Sequence, residues 1–298
     1  MGSQTITRML KLRDLKVLHI EPTDVCQLAC PLCARETDPD FNKSRKHHLS
    51  VDQVERHFDE DTIKKLEKMF MCGNYGDPAA GYNTLDIYRY FRRINPEITL
   101  GMNSNGALQS TFWWNELASI MNKPLDYCVF SIDGLEDTNP VYRINTNWKK
   151  LMSNAEAFIA AGGSAHWDML VYRHNQHQVD ECEQLARDMG FKWFRAKVSK
   201  RAFTNKLEQP INWQPSSPKT GPIVCHALQE QSMFLDARGN LTECCWLGTR
   251  QKDFKVDFEA IKLSWETDTP HEVCKSACSS DNEKTNFTEQ WRREICLN

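Results

Sequence analysis

Long apolar runs, an excess of positive charge and a high content of glycine or proline are all missing from this sequence. No stretch approaches the roughly 20 consecutive apolar residues of a membrane-crossing helix, and no apolar signal segment opens the chain. We therefore expect a cytoplasmic protein with no membrane partner. The 13 glycines and 12 prolines among 298 residues exclude collagen-like and low-complexity chains.

Positive charge is also too scarce for a nucleic-acid-binding protein. The formal net charge is −3 and the sequence pI is about 6.3, whereas phosphate binding needs a concentrated positive field. The basic clusters at 8–16 and 45–48 are interpreted as solvated segments. We expect no nucleic-acid partner.

Cysteine, in contrast, is plentiful, with 12 residues in the chain. Without a secretory signal these thiols should be reduced, so their clustering indicates metal or redox chemistry and not disulfides. Three lie close together near the start of the chain, and the last quarter contains six: Cys225, Cys244, Cys245, Cys274, Cys278 and Cys296. Cys72, Cys128 and Cys182 are scattered between the groups, and core packing is their default interpretation.

Short apolar runs alternate with helix-length amphipathic stretches from residue 17 to about 197. The predicted strands are 17–21, 68–73, 97–102, 126–132, 167–172 and 191–196. The predicted helices are 51–66, 84–94, 112–121, 147–161 and 178–189. Ser50 and Gln53 form a potential capping box for the first helix, and Gly190 ends the last. This repeat predicts an α/β fold with a parallel sheet, either doubly wound or curled into a partial barrel.

The first strand leads directly into Cys26, Cys30 and Cys33, three thiols within eight residues. Three cysteines can hold an iron-sulfur cubane that keeps one iron without a protein ligand. An open coordination position is typical of catalytic metal centres and not of structural ones. The alternative is a structural zinc site, which would need a fourth ligand such as His47 or His48.

Small and polar residues follow four later strands, at 73–78, 102–106, 131–134 and 172–175. In parallel α/β sheets the chemistry lies at the carboxyl ends of the strands. Each of these segments alone is also a common turn sequence. Together with the cysteine loop they predict a pocket for a polar ligand at one sheet edge.

A second module is predicted after a proline-rich linker at 198–222. Residues 232–244 resemble a hairpin turned by Arg238, Gly239 and Asn240. Helices are expected around 257–265 and from about 284 to the end. The predicted organisation is an N-terminal extension (1–16), a main domain (17–197), the linker and a small α+β module (223–298).

The spacing Cys26-x3-Cys30-x2-Cys33 after a first strand closely resembles the radical S-adenosylmethionine (SAM) superfamily. This resemblance implies a partial (β/α)6 barrel in which the three cysteines hold a [4Fe-4S] cluster and SAM chelates the remaining iron. It also implies that one electron cleaves SAM to a 5′-deoxyadenosyl radical, which abstracts hydrogen from an unactivated C–H bond. The electron would come from an external donor such as flavodoxin or ferredoxin.

The same resemblance implies which residues contact SAM. Tyr75-Gly76-Asp77-Pro78 is similar to the Gly-Gly-Glu-Pro element that binds the methionine amino group, with a carboxylate one methylene shorter. Ser104 and Asn105 resemble the Thr-Asn-Gly strand end, and Ser131 and Asp133 resemble an element near the ribose and substrate. Leu32 stands where the family usually has an aromatic residue near adenine, and it can cover the base without stacking.

The C-terminal spacing Cys225-x13-Gly239-x4-Cys244 resembles the opening of SPASM and twitch extensions. It implies one auxiliary [4Fe-4S] cluster, with Cys225, Cys244, Cys274 and Cys278 as the expected ligands. Cys245 or Cys296 is an alternative ligand, and a zinc-bound or simply buried set of thiols is the alternative to a cluster.

The substrate is expected to be a peptide or an amino-acid-like molecule that is oxidised, crosslinked or epimerised. About 16 residues precede the first strand, too few for a peptide-recognition domain, so dehydrogenation or rearrangement of a polar small molecule is an alternative. A non-catalytic iron-sulfur or zinc scaffold is a third interpretation. Cys72 or Cys245 is the candidate thiol hydrogen donor for an epimerisation. The candidate substrate contacts are Tyr172, Arg173, His174, Trp193 and Arg195. The alternative is that these five are surface residues that flank the strand ends.

Overall fold

A single sheet organises the computed structural model, which describes residues 14–44, 46–199, 207–212, 222–248 and 258–278. Six parallel strands lie side by side in the order β6-β5-β4-β3-β2-β1. Their bounds are β1 Val17–Ile20, β2 Lys68–Met71, β3 Thr99–Ser104, β4 Tyr127–Ser131, β5 Ala165–Val171 and β6 Trp193–Val198. This arrangement confirms the predicted α/β class with a parallel sheet, as expected for a partial barrel.

The helices alternate with these strands along the chain. The first eight are α1 Ala34–Thr37, α2 Val51–Glu55, α3 Glu60–Ile63, α4 Thr84–Ile94, α5 Thr111–Ile120, α6 Asn139–Tyr142, α7 Trp148–Ala160 and α8 Val179–Met189. Side chains such as Tyr88, Trp114 and Phe158 from three of these helices are fully buried in one apolar core with the strands. Burial of large apolar side chains of this kind stabilises the fold by roughly 1.5–3 kcal/mol each.

Local sequence signals set most element boundaries. The Ser50 side chain accepts from Gln53 N and the Gln53 side chain accepts from Ser50 N, which confirms the predicted capping box. Gly190 ends α8 in the left-handed region at φ +86°. The single predicted helix 51–66 is wrong: the segment forms α2 and α3, because Asp59 caps a new helix by accepting from Thr62 N.

Side chains alternate between the two faces of each strand. On β5, Trp167 and Met169 belong to the apolar core, whereas His166 and Asp168 point to the other face. On β4, Cys128 and Phe130 join the core, and Tyr127 instead stacks on His166 at a centroid distance of 5.5 Å. The inner face of the sheet is therefore lined with polar and aromatic side chains, as a ligand-binding interior requires.

The C-terminal segment continues the same sheet. Strand β7 (Ser232–Leu235) pairs in parallel with β1, and β8 (Leu241–Thr242) pairs antiparallel with β7, which confirms the predicted hairpin. The hairpin turn is tied to the segment around α2 by a hydrogen bond between His57 Nε2 and the Gly239 carbonyl at 2.7 Å. The remaining described helices are α9 His226–Glu230, α10 Cys245–Gly248, α11 Phe258–Glu266 and α12 Glu272–Ala277.

The predicted domain limits stay predictions. Most of the linker 198–222, the helix from about 284 and Cys296 lie outside the described residues. In the described part of the chain no helix is both long enough and apolar enough to cross a membrane.

Candidate active site

The three-cysteine loop follows β1 and packs in a small apolar cluster at the carboxyl end of the sheet. The cluster contains Cys26, Leu28, Cys30, Leu32, Cys33, Tyr142, Leu170, Tyr172 and Leu207. Burial raises the pKa of the Cys26 thiol to about 12, with Cys30 and Cys33 among its electrostatic neighbours. Two nitrogen donors face the Cys26 sulfur, Leu28 N at 3.4 Å and Asn105 Nδ2 at 3.8 Å.

This donor set fits an iron-sulfur cluster. Three thiols close together, with N–H donors directed at the sulfur of Cys26, are the kind of ligands and surroundings that such clusters use. A cluster would bind the thiolates and so overcome the raised thiol pKa values. Among the described residues, no group of three or more His, Cys, Asp or Glu side chains is arranged to hold a single metal ion. His47 and His48, the named candidates for the fourth ligand of a zinc site, contact Asp24 and Thr23.

A partly buried arginine lies beside the loop, and sequence reasoning missed it. Arg143 Nη1 is 4.0 Å from Cys30 Sγ, and Arg143 Nε donates to Asp133 Oδ2 at 2.6 Å. The fully buried Asp133 also accepts from Leu170 N at 2.6 Å. Arg143 directly follows the short helix α6 and not a strand, so no sequence pattern marks it. It places a positive charge next to a cysteine of the loop.

Glu21, at the end of β1, holds the segment 73–78 against the cysteine loop. Its Oε1 accepts from Tyr75 N at 2.7 Å and from Gly76 N at 3.1 Å. Burial raises the Glu21 pKa to about 7. Sequence reasoning missed this role too, although a carboxylate directly after a buried strand was a signal.

Close backbone contact joins the same two segments. Asp77 N donates to Val25 O at 2.9 Å. A Cβ added to Gly76 would lie 1.9 Å from the Thr23 carbonyl oxygen, so only glycine fits there. The half-buried Tyr75 side chain is fixed by two contacts: its hydroxyl donates to Asp38 Oδ2 at 2.6 Å, and its ring stacks on Phe41. Pro78 starts a short 3₁₀ turn, Pro78–Ala80.

Asp77 connects this segment to the end of β3. Its carboxylate accepts from Ser104 Oγ at 2.8 Å, Asn105 N at 2.7 Å and Asn105 Nδ2 at 2.6 Å, and from Ala79 N at 2.9 Å. Burial raises the pKa of the Asp77 carboxyl above its ordinary value, although these donors oppose the shift. The shorter carboxylate thus contacts protein donors, and it fixes Asn105, whose Oδ1 accepts from Gln27 Nε2 at 2.8 Å.

The predicted substrate contacts fall in three different environments. Tyr172 is fully buried and packs against Tyr142 and His174 beside the cysteine loop, at centroid distances of 5.3 and 5.6 Å. Arg173 is exposed and forms an ion pair with Glu208 at 2.7 Å. Arg195 is buried on the inner face of β6, where its Nε donates to Asp168 Oδ1 at 2.6 Å.

Four C-terminal cysteines form a second group. Cys225 precedes α9, Cys244 precedes α10, and Cys274 and Cys278 lie on and directly after α12. The electrostatic neighbours of Cys225 include Cys278 and Cys274, and those of Cys244 include Cys225 and Cys278. Burial raises the pKa of Cys225 to about 11 and that of Cys244 to about 12. Val224 N donates to Cys278 O at 2.5 Å and holds the two ends together.

Cys245 lies next to Cys244 of that group and also close to two residues of the barrel. Its electrostatic neighbours are Cys244, Cys72 and Glu21, and burial raises its pKa well above the ordinary value. The Cys245 carbonyl accepts from Asn74 Nδ2 at 3.0 Å. The two candidate hydrogen-donor thiols, Cys72 and Cys245, are thus brought together near the ends of β1 and β2.

Comparison with known proteins matches this chain to a family. A profile described as the radical SAM superfamily matches residues 20–189. A "tungsten-containing aldehyde ferredoxin oxidoreductase cofactor-modifying protein" from Pyrococcus furiosus is 23% identical over 184 residues. The match includes 59% of this chain and 49% of that protein, so the chain spans about half the length of this curated relative.

Solved structures share the fold at low sequence identity. Streptococcus suis SuiB bound to S-adenosylmethionine has a TM-score of 0.57 and 14% identity, covering 81% of this chain and 63% of that one. Native anSMEcpe with bound AdoMet and Cp18Cys peptide has a TM-score of 0.56 and 15% identity, covering 93% and 94%. SuiB has also been solved bound to its precursor peptide SuiA, with a TM-score of 0.57, 13% identity and 84% and 64% coverage.

Proposed function

This chain belongs to the radical SAM superfamily, and we propose that it reductively cleaves SAM and abstracts hydrogen from a C–H bond of a peptide or amino-acid-like substrate. The observation that carries the proposal is the convergence of the cysteine loop with the 73–78 segment and the end of β3. Glu21, Asp77 and Asn105 link these three segments through hydrogen bonds of 3.1 Å or less.

Cys26, Cys30 and Cys33 would hold a [4Fe-4S] cluster and leave one iron for SAM. When both are bound, they supply a one-electron cleavage that yields a 5′-deoxyadenosyl radical. The apolar side chains around the loop exclude water, which a reactive radical requires. Arg143 would place its positive charge beside the thiolate of Cys30.

The remaining site residues would orient SAM. The backbone of Tyr75, Gly76, Asp77 and Pro78 would face its amino group, with Asp77 acting through Ser104 and Asn105. Leu32, half-buried beside the cysteines, would cover the adenine by apolar contact. Ser131 lies half-buried on the inner face at the end of β4, near the expected ribose and substrate. Asp133 would act through Arg143, which it contacts directly.

An auxiliary [4Fe-4S] cluster on Cys225, Cys244, Cys274 and Cys278 is part of the proposal. The mutual electrostatic neighbourhood of these four thiols supports it. Such a cluster would accept an electron from the substrate radical or pass one along, and an external donor such as flavodoxin or ferredoxin would reduce the first cluster. If the reaction is an epimerisation, Cys72 or Cys245 would return the hydrogen atom.

A peptide substrate is favoured by the likeness to SuiB and anSMEcpe, which have been solved with peptides. At this low sequence identity the likeness shows a shared fold, and the substrate class is inferred from these proteins by analogy. Tyr172, Arg173, His174 and Arg195 stay candidate contacts. Arg195 is buried on the inner face of β6, and Tyr172 is fully buried beside the cysteine loop.

The test is anaerobic reconstitution followed by reduction with dithionite in the presence of SAM, with 5′-deoxyadenosine measured by mass spectrometry. Wild-type protein should form 5′-deoxyadenosine, and Cys30→Ala should form none above background. Cys182→Ala is the matched control, because Cys182 is buried on α8 in the apolar core. Undiminished 5′-deoxyadenosine from Cys30→Ala would contradict the proposal. So would wild-type protein that contains its full iron but forms no 5′-deoxyadenosine, because a non-catalytic scaffold would behave in this way.

A further inference from the structure

One residue, Asn74, contacts the surroundings of both cysteine groups. It lies directly before Tyr75 in the 73–78 segment and is half-buried. Its backbone carbonyl accepts from Cys33 Sγ at 3.8 Å, and its side-chain Nδ2 donates to the Cys245 carbonyl at 3.0 Å. The backbone of Asn74 therefore faces the three-cysteine loop, while its side chain reaches a residue 171 positions further along the chain.

The far end of this link lies beside the second set of thiols. We call Cys225, Cys244, Cys274 and Cys278 the C-terminal cysteine group. Cys245, which accepts from Asn74, is the first residue of α10 and directly follows Cys244. Leu247 of α10 is 3% exposed and forms one apolar cluster with Cys274 of α12, against which Cys244 packs. A centre bound by both Cys244 and Cys274 would therefore fix α10, and with it the carbonyl that Asn74 contacts.

The near end of the link is the segment that is proposed to orient SAM. Tyr75 N and Gly76 N donate to the Glu21 carboxylate, and Asn74 is the residue directly before them. A thiol must lose its proton to bind a cluster, so ligation of Cys33 removes the hydrogen bond from its S–H to Asn74. The side-chain bond to Cys245 then contributes more to holding Asn74, at the point where the segment enters the site.

A second connection to the C-terminal segment does not involve the cysteines. Glu21 N donates to Leu235 O at 2.9 Å, at the end of β7, and β7 pairs in parallel with β1 in the main sheet. The 73–78 segment is thus supported in two ways, through Glu21 and the sheet and through Asn74 and α10. Only the second support depends on the helix that follows Cys244.

We propose that Asn74 is a positioning residue that makes SAM binding depend on the C-terminal cysteine group. A centre bound by that group fixes α10, α10 fixes the Asn74 side chain, and Asn74 holds the 73–78 segment in place for SAM. The inference rests on the proposed function, because it needs SAM at the first loop and a metal centre at the second group. Loading the C-terminal group should raise SAM affinity with no direct contact between the two.

The test is a double-mutant cycle on SAM binding. Wild type, Asn74→Leu, Cys244→Ala and the double variant are reconstituted anaerobically, and SAM dissociation constants are measured by equilibrium dialysis without reductant, so that no SAM is cleaved. Leucine keeps the approximate shape of asparagine and removes the hydrogen-bond donor. Each single substitution should weaken SAM binding about fivefold, the usual contribution of one hydrogen bond, and the double variant should bind no more weakly than either single variant.

Two results of the cycle would overturn the inference: losses that add in the double variant, or SAM affinity equal to wild type in either single variant. Asn95→Leu is the matched control. Asn95 is also half-buried, and its Nδ2 donates to the Leu66 carbonyl at 2.9 Å, before the amino ends of β3 and β2. It should leave SAM affinity unchanged, and an equal loss in Asn95→Leu would assign the effect to general stability instead.

Hydrogen–deuterium exchange tests the link in the absence of SAM. In Asn74→Leu and in Cys244→Ala the backbone amides of 73–78 should exchange faster than in wild type, while β4 keeps its protection. Wild-type protection of 73–78 in both variants would overturn the inference. Faster exchange throughout the chain would show that a variant is unfolded. Cys278→Ala, which removes a proposed ligand after α12, then replaces Cys244→Ala in the cycle.

The outcomes separate this inference from the proposed function. Wild-type protein that contains its full iron but binds no SAM would contradict the proposed function itself. Iron content unchanged in Cys244→Ala would remove the auxiliary cluster, and this inference with it, but would leave SAM cleavage at the first loop intact. SAM binding that is independent of both Asn74 and Cys244 would overturn this inference alone.

Discussion

Arg143 Nη1 lies 4.0 Å from Cys30 Sγ, so a partly buried guanidinium faces a cysteine of the loop. Asp133 holds it there, and Asp133 is itself fully buried. The pair couples the end of β4 to the cysteine loop across 113 residues of sequence. Because Asp133 is fully buried, removing Arg143 leaves the buried carboxylate uncompensated.

Replacing Arg143 is therefore expected to affect stability and the cluster together. Arg143→Met should lower the free energy of unfolding by about 3–5 kcal/mol, because Asp133 stays buried without its cation. Loss of the positive charge should also shift the midpoint potential of the first cluster to more negative values. Urea denaturation and an EPR-monitored redox titration measure the two effects.

Arg187→Met is the control for the Arg143 variant, since Arg187 forms an exposed ion pair with Glu183. It should change the free energy of unfolding by less than about 1 kcal/mol. Equal effects of the two substitutions would show that Arg143 has no special role.

Substitutions should distinguish the proposed ligand Cys244 of the auxiliary cluster from the adjacent Cys245. Cys244→Ala should lower the iron content of the reconstituted protein by one cluster, from about eight irons to about four. Cys245→Ala, the adjacent position, should leave the iron content unchanged, because beyond its sequence neighbour Cys244 the electrostatic neighbours of Cys245 are the barrel residues Cys72 and Glu21. Iron analysis with Mössbauer spectroscopy checks this, and the opposite pattern would assign Cys245 as the ligand.

Gly76 should not tolerate even a methyl group. In Gly76→Ala the new Cβ would lie 1.9 Å from the Thr23 carbonyl oxygen, so the 73–78 segment must move away from the cysteine loop. We expect SAM affinity to fall at least about tenfold, measured by equilibrium binding to reconstituted protein. Gly162→Ala meets no heavy atom within 4 Å and has φ +89°, so it should cost only about 1–2 kcal/mol of stability and leave SAM binding unchanged. SAM affinity in Gly76→Ala equal to wild type would refute the close-contact argument.

Glu21 should make stability depend on pH. Its pKa rises from 4.5 to about 7 in the folded protein, because burial disfavours the charged carboxylate. The contribution of Glu21 is therefore fully present below pH 4.5 and is lost as the pH rises through 7. The loss is on the order of 3 kcal/mol.

Glu21→Gln isolates this effect, since the amide oxygen still accepts hydrogen bonds and does not titrate. The difference in free energy of unfolding between wild type and the variant should change between pH 5 and pH 8, in the direction of a relatively more stable variant at pH 8. Urea denaturation at fixed pH intervals measures it. A difference that is constant with pH would exclude Glu21 as the titrating group.

Much of the barrel could be predicted from sequence. All six parallel strands were expected, and the helix 84–94 has the bounds that the structure gives it. Strand β3 lies two residues later than its predicted range 97–102. The boundary was hard to predict because apolar residues just outside a strand resemble those within it. The division of 51–66 into two helices depended on one cap, Asp59, within an otherwise helical pattern. Only structure revealed that β7 joins β1 as a further parallel strand.

The sequence by itself determined the cysteine loop, because Cys26, Cys30 and Cys33 are close along the chain and any compact loop brings them together. It also determined the polar strand ends, since the carboxyl ends of parallel strands must share one edge. Tertiary structure alone decided what surrounds them. Glu21 accepts hydrogen bonds from the 73–78 segment, Arg143 lies beside Cys30, and both Lys197 and Arg195 form ion pairs with Asp168. These contacts join residues that are tens of positions apart or more, and burial and charge, not spacing, select the partners. The grouping of Cys225 and Cys244 with Cys274 and Cys278 likewise depends on where α12 packs.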